Sequence, residues 1–392
     1  MSSKAREKIL KASRHTIERS RRSILRSIGG GTTIGGLSVT GKAARPDYID
    51  IPIVMDKSGD EILKTKSVPE PWWSHLKEVR EVNRKAQRKY LGKTGVRTVG
   101  YGYSHEVIEG KHGFDIVIGL DPNVPSPEIP PEIDGINTRT RKADPQPFTH
   151  ESDGWCSNLA RFDPAPGGVT INADNCSSLA RGSTGFKVQD SDSDPGMLTA
   201  NHIFACGVED HAAPAEQCCE FIDYVGQDDK TADFAIVGGD SPWSDQIKEE
   251  DSTYWNISGF YTDNGIDDLI SDTEVVYRTG VGYGTDDGPV RENNVGLSGI
   301  NCDITLDDEG VWLEIDAAET DSGGPAYGLE TFNGKQYAVI INHLSAGDNI
   351  YDQLTCGSND SCGYESETFD IGSHFYGTAF NHINGHYGVD IY

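Results

Sequence analysis

Apolar and polar positions change their rhythm along the chain. Residues 47–54 form a short β-branched run that predicts a strand. Pro71-Trp72-Trp73 then opens a helical pattern reaching about Tyr90. Trp72, Leu76, Val79, Ala86 and Tyr90 fall mostly at three- or four-residue steps. Lys77, Arg80, Arg84, Lys85, Arg88 and Lys89 fall mostly on other faces, which leaves two readings, a solvated face or a surface that docks on acidic residues. Strands are predicted at 96–103 and 114–120, and the Pro-rich stretch 122–131 reads as a linker. From about residue 153 the texture becomes all-β. Short apolar runs recur between Gly, Asp and Asn clusters at 185–188, 197–202, 221–225, 233–237, 253–260, 275–279, 300–306, 311–315 and 337–344. That spacing predicts a sandwich or a pair of barrels rather than βαβ units.

Charge divides the chain at nearly the same place. Residues 1–150 hold 26 Lys/Arg and 18 Asp/Glu, a net of +8, whereas residues 151–392 hold 8 and 44, a net of −36. Together they give the overall −28. So acidic a second half argues against nucleic acid or an anionic membrane as its partner. After residue 250 only Lys335 remains among the lysines, and the pattern reads as adaptation to high salt. No run approaches eighteen apolar residues, so no membrane-spanning helix is expected.

Ser20-Arg21-Arg22-Ser23-Ile24-Leu25-Arg26 resembles a twin-arginine export motif, with a weakly apolar stretch behind it and a small-residue cleavage region near Ala43. The alternative is a basic amphipathic helix that stays in the cell. Export to the cell surface or medium suits the eight cysteines, which then read as disulfides. Spacing suggests Cys156 with Cys176, Cys206 with Cys218 or Cys219, and Cys356 with Cys362, leaving one of the adjacent pair for Cys302. A zinc site at Cys206, Cys218, Cys219 and a nearby His is the rival, but no CxxC pair supports it. His374, His382 and His386 have spacings that fit no firm metal site, so no metal is assigned. The expected organisation is a signal over 1–44, an α+β region over 45–150 that assists folding, inhibits until cleaved or binds a partner, and the main β domain over 151–392.

Three elements carry the chemistry. Thr320-Asp321-Ser322-Gly323-Gly324-Pro325 places a serine in a glycine-rich turn, where backbone N–H groups can approach a reacting oxygen. Leu198-Thr-Ala-Asn-His202 closes an apolar run with a histidine. Asp233 enters the apolar run Phe234–Val237, and a carboxylate there needs a hydrogen-bonding partner. Asp228 and Asp229 lack such a run and read as a solvated loop.

In the order His, Asp, Ser, these elements resemble the chymotrypsin-like serine peptidases, together with Pro164–Val169, Tyr277–Gly280 and Gly284–Gly288; the lead-in Ile133-Asp-Gly135 also fits. The resemblance covers roughly residues 160–390 and is to the compact microbial members. It implies an all-β, double six-stranded β-barrel preceded by a small α+β N-terminal region. It further implies a serine endopeptidase acting on protein or peptide, with no cofactor. Ser322 would be the nucleophile, His202 the general base and Asp233 its orienting partner. Backbone N–H groups of Thr320 and Ser322 would form the oxyanion site. The family usually has Gly where Thr320 stands, and a β-branched residue suits a positive φ poorly. That departure supports the alternative of a catalytically inactive, peptidase-like binding protein of the cell envelope. For the substrate pocket, Asp316 suggests a basic side chain and His343 an acidic one, and the preference stays open. Two look-alikes are set aside: Ile236-Val-Gly-Gly239 as a zymogen-type N-terminus, and Val295-Gly-Leu-Ser298-Gly as a hydrolase elbow.

The charge pattern makes a solution prediction. At about 1 M salt the screening length falls to about 3 Å, so self-repulsion is largely removed. The melting temperature is expected to rise by on the order of 10 °C between 0.1 M and 2 M KCl, read by circular dichroism.

Overall fold

Alternating apolar side chains and short turns produce a molecule built mostly of β-strands. A computed structural model describes residues 47–147, 162–173, 181–192, 194–205, 214–217, 220–238, 243–298, 306, 309–356 and 367–392. The expected export signal, the predicted strand at 300–305 and the suggested cysteine pairings fall outside the described residues or side chains.

The N-terminal part begins with a hairpin of β1 (Tyr48–Asp56) and β2 (Ile62–Pro69). Helix α1 (Glu70–Tyr90) follows directly, its start favoured by Pro71 in the first turn. Trp72, Leu76, Val79, Val82, Ala86 and Tyr90 are its buried face, as the helical spacing requires. A second hairpin joins β3 (Val96–Ile108) to β4 (Lys111–Leu120), and the two-residue strand β5 (Gln146–Pro147) ends this part.

Between residues 170 and 238 a compact sheet forms, with strands in the spatial order 181–183, 170–173, 214–217, 220–229, 234–238, 195–200 and 187–189, closed by 390–391 from the C-terminus. Its central pair is β6 (Pro195–Ala200) and β7 (Phe234–Gly238), antiparallel with Ala200 opposite Phe234. The apolar side chains Leu198, Phe234 and Ile236 pack with Phe186, Phe260 and Phe380 beneath it.

The later strands make a larger sheet. It includes β8 (Tyr254–Tyr261), the helix α2 (Asp263–Asp272) behind it, and β9 (Thr285–Leu297). Beyond these come β10 (Lys335–His343) and β11 (Ala346–Cys356), and helix α3 (Phe380–Tyr387) lies near the C-terminus. Both α2 and α3 correct the expectation of strands alone after residue 153. The three- and four-residue spacing of Ile266, Leu269 and Ile270 was masked by neighbouring Asp and Gly. Local chemistry starts α2: the Thr262 hydroxyl accepts the Gly265 N–H at 3.1 Å, an N-cap.

The N-terminal strands are part of this larger sheet. β1 pairs with β8, and β3 pairs with β9. One hydrophobic cluster joins Trp72, Leu76 and Val79 of α1 to Ile266, Val290, Leu313 and Val339. Charge reinforces the contact. Arg80 donates to Asp267 from Nη2 at 2.5 Å and from Nε at 3.1 Å. Asp267 is fully buried and also accepts from the Tyr101 hydroxyl at 3.0 Å and from Asn293 at 2.9 Å. Lys66 and Lys111 similarly reach Asp268 and Asp272. Of the basic residues on α1, Arg80 thus docks on the acidic half, while Lys85 pairs with Asp134 at the surface.

Removing Arg80 strands a buried carboxylate. Arg80→Ala is expected to cost about 3 kcal/mol, whereas Lys85→Ala should cost less than about 1 kcal/mol. Urea unfolding of the two variants checks the contrast.

Candidate active site

Register brings the first two predicted residues together. Ala200 and Phe234 are opposed at the end of the β6–β7 pair. His202 lies two residues beyond one strand, and Asp233 lies one residue before the other. The Asn201 N–H donates to the Asp233 carbonyl at 3.1 Å and tightens this end. Asp233 adopts φ 51°, a left-handed conformation that aspartate tolerates better than most residues. In that pose it holds His202 twice. Oδ2 lies 2.8 Å from the His202 Nδ1, and Oδ1 accepts the His202 backbone N–H at 2.9 Å. A carboxylate on Nδ1 favours the tautomer that leaves Nε2 free to accept a proton.

The neighbouring acids do other work. Asp229 accepts the N–H groups of Thr231 and Ala232, each at 2.8 Å, and shapes the turn that leads to Asp233. Asp228 accepts from Asn201 at 3.0 Å.

Ser322 sits in a turn clamped from three sides. Its carbonyl accepts the Ser183 N–H at 2.7 Å. The Gly323 N–H donates to Leu344 O at 2.7 Å, and the Leu344 N–H donates to Gly324 O at 3.0 Å. Gly323 has φ 84°, and a Cβ there would lie 2.1 Å from Thr199 Oγ1 and 3.0 Å from Ala200 N. Only glycine therefore lets the serine turn press against β6, the strand that delivers His202.

Asp321 anchors the turn from beneath. It has no exposed surface, and neither has Arg278, whose Nη1 donates to it at 2.8 Å. The N–H groups of Gly282 at 2.7 Å, Ala318 at 2.8 Å and Tyr283 at 3.2 Å also donate to it. Arg278 also donates from Nε to Asp316 O at 2.7 Å and from Nη1 to Gly284 O at 2.8 Å. The sequence reading missed this role for Arg278, although Tyr277–Gly280 stood out as a segment. The available signal was a lone arginine inside a β-branched run of an acidic half.

The Ser322 Oγ and the His202 Nε2 are both buried, and neither has a hydrogen-bond partner among the described residues. Buried polar atoms without partners are uncommon and call for an explanation. Thr320 keeps out of the left-handed region: residues 319–321 form a 3₁₀ turn, and the Thr320 carbonyl accepts from Ser183 Oγ at 2.9 Å. The positive φ that made Thr320 doubtful is therefore not adopted here.

The two pocket candidates are placed differently from each other. His343 is fully buried, and its Nε2 lies 2.7 Å from the Asp233 carbonyl. Burial pushes its imidazole below the ordinary histidine range. Asp316 is partly exposed and lies near the Tyr283 hydroxyl, 3.5 Å away. Of the histidines in the tail, His374 packs on Trp312, and His382 and His386 stack on each other. Ile236–Gly238 lies within β7, as a strand reading requires.

No family model and no curated protein matches this chain. Solved structures do show a likeness. Thermobifida fusca protease A is 16% identical, with 58% of this chain and 97% of that one covered, at a TM-score of 0.36. A Nocardiopsis protease is 16% identical with the same coverage, at 0.38. Cellulomonas bogoriensis chymotrypsin is 16% identical, with 59% and 99% covered, at 0.36.

Breaking a buried ion pair from one side leaves the other charge unbalanced. Arg278→Ala is expected to cost about 3–5 kcal/mol. The double variant Arg278→Met with Asp321→Asn should recover part of the loss, measured as a double-mutant cycle in denaturant.

Proposed function

We propose that this protein is a serine endopeptidase in which His202, Asp233 and Ser322 act together on an extended peptide. One observation carries the reading: Asp233 grips both the ring and the backbone of His202, while the Nε2 of that ring and the hydroxyl of Ser322 are left as unpartnered buried atoms. In the proposed mechanism, Ser322 Oγ attacks the scissile carbonyl carbon as His202 Nε2 takes its proton. His202 then protonates the leaving amine. Water, activated by the same imidazole, releases the acyl group and restores Ser322. Asp233 orients the imidazole and stabilises its charged form. The role of Asp321 and Arg278 is to hold the turn that presents the nucleophile.

Export by the twin-arginine route and function in high salt belong to the same proposal. The arginine pair at Arg21-Arg22 and the net charge of −28 support them. The preferred cleavage residue is left open between Asp316 and His343.

A second reading has its own observation. Residues 319–321 form a 3₁₀ turn, with Thr320 standing where the resemblance implies glycine. A protein held permanently in that state would bind peptides without cutting them. A fluorophosphonate probe in molar salt separates the readings. Ser322 is expected to be labelled in the wild type and not in Ser322→Ala, and His202→Ala should lower kcat on a peptide substrate by about 10⁴ or more. Folded wild type that is neither labelled nor active would favour the binding protein.

A further inference from the structure

Helix α3 is short, and its apolar face decides how it lies. Phe380 and Ile383 are fully buried, and Tyr387 packs beside them on the cluster that holds Phe234 and Phe260. Steps of three and four residues put these side chains on one face. His382 and His386 are also four residues apart and fall together on the flank beside it. Their rings stack, with centroids 5.0 Å apart and planes 21° from parallel. Spacing in sequence leaves this pair without a third partner. The fold supplies one: the Glu309 carboxylate meets the His382 Nε2.

The surroundings set this cluster apart from an ordinary surface ion pair. Two cavities, of about 340 Å³ and about 140 Å³, are each lined by Glu309, His382 and His386, so the three side chains form their common wall. Among the described residues no lysine or arginine pairs with Glu309. Asp268 and Asp272, by contrast, have their charge answered by Lys66 and Lys111. Asn381 lines the larger cavity as well. Its Nδ2 donates to Asp263 Oδ1 at 2.9 Å, but its Oδ1 is buried with no partner among the described residues. An acceptor left open on a polar cavity is suited to a water held in place by another group. Two imidazoles four residues apart on a helix, with a carboxylate from elsewhere, are a donor set for a divalent transition metal. Ca²⁺ and Mg²⁺ prefer shells of oxygen alone. His386 is exposed, so its side chain has room to turn toward an ion.

The same segments hold the turn that leads to Asp233. The Leu306 N–H donates to Thr231 O at 3.0 Å, and the Thr378 hydroxyl donates to Ala232 O at 2.5 Å. The Ala379 N–H donates to Glu309 O at 3.0 Å and joins the two segments. Thr231 and Ala232 also line the smaller cavity.

We propose that Glu309, His382 and His386 bind one divalent transition-metal ion of the zinc kind, with water from the larger cavity as the fourth ligand. The ion fastens α3 to the segment at 306–309 and so braces the turn before Asp233. It binds whether or not Ser322 is a nucleophile.

The test uses the full chain, oxidised and stripped with EDTA, in molar salt. Zn²⁺ is titrated by calorimetry into wild type, His386→Ala, Glu309→Gln and, as a control, His374→Ala. His374 packs on Trp312, outside the cluster. Circular dichroism checks that each variant folds, and the exposure of His386 makes its variant the safest. The wild type is expected to bind one zinc ion tightly. Affinity should fall in both cluster variants by more than about tenfold, the lower bound for loss of a mere outer-shell partner, and should hold in the control. Zinc at about a hundredfold over its Kd should raise the melting temperature by about 4 °C and slow hydrogen exchange at Leu306 and Ala379. Zinc that binds none of the proteins, or all of them alike, overturns the site and leaves an ion pair between His382 and Glu309. An equal loss of affinity in His374→Ala overturns it as well. Tight zinc with unchanged exchange at Leu306 and Ala379 overturns the brace.

Discussion

Asp321 has no exposed surface, and its charge is balanced by Arg278, equally withdrawn from water. A buried carboxylate is costly unless every lone pair is answered, and here three backbone N–H groups and a guanidinium answer it. That requirement fixes the segments around 278–284 and 316–318 relative to residue 321, so it also fixes residue 322. Clamping by Ser183 and Leu344 then orients the turn toward β6. The position of Ser322 is thus set by the buried ion pair at the preceding residue together with the hydrogen bond that its own carbonyl accepts from Ser183.

A similar economy governs the other side of the site. His202 and Asp233 are 31 residues apart, yet an antiparallel register places them at one strand end. Asp229 shapes the turn, the left-handed backbone of Asp233 aims its side chain, and His343 supports its carbonyl from below. Burial holds the His343 imidazole below the ordinary histidine range.

The N-terminal part has two relations to this core. Its hairpins and helix share a sheet and a hydrophobic cluster with the later strands, through buried contacts such as Arg80 with Asp267. Its last strand instead meets β11 in a two-residue pairing. A region with positive charge therefore completes the acidic half rather than standing apart from it, and the charge asymmetry along the sequence becomes a set of ion pairs in space.

Local pattern alone determined much of this protein. The run of alternating apolar residues required a mostly β chain, helical spacing from Trp72 to Tyr90 required α1, and an aspartate entering the apolar run at Phe234 required a polar partner. Those are short-range consequences of side-chain periodicity and of the cost of burying charge. Other features depend on residues far apart in sequence. Ion pairing of Arg278 with Asp321, the carbonyl contact of His343, the joining of β3 to β9 and the pairing of β5 with β11 exist only once distant strands are in register. Helix α2 was hidden as well, since its acidic residues look solvated until Asp267 is seen facing Arg80. A one-dimensional pattern records which residues must be buried, but the partner that satisfies each buried charge or strand edge is chosen by the tertiary fold.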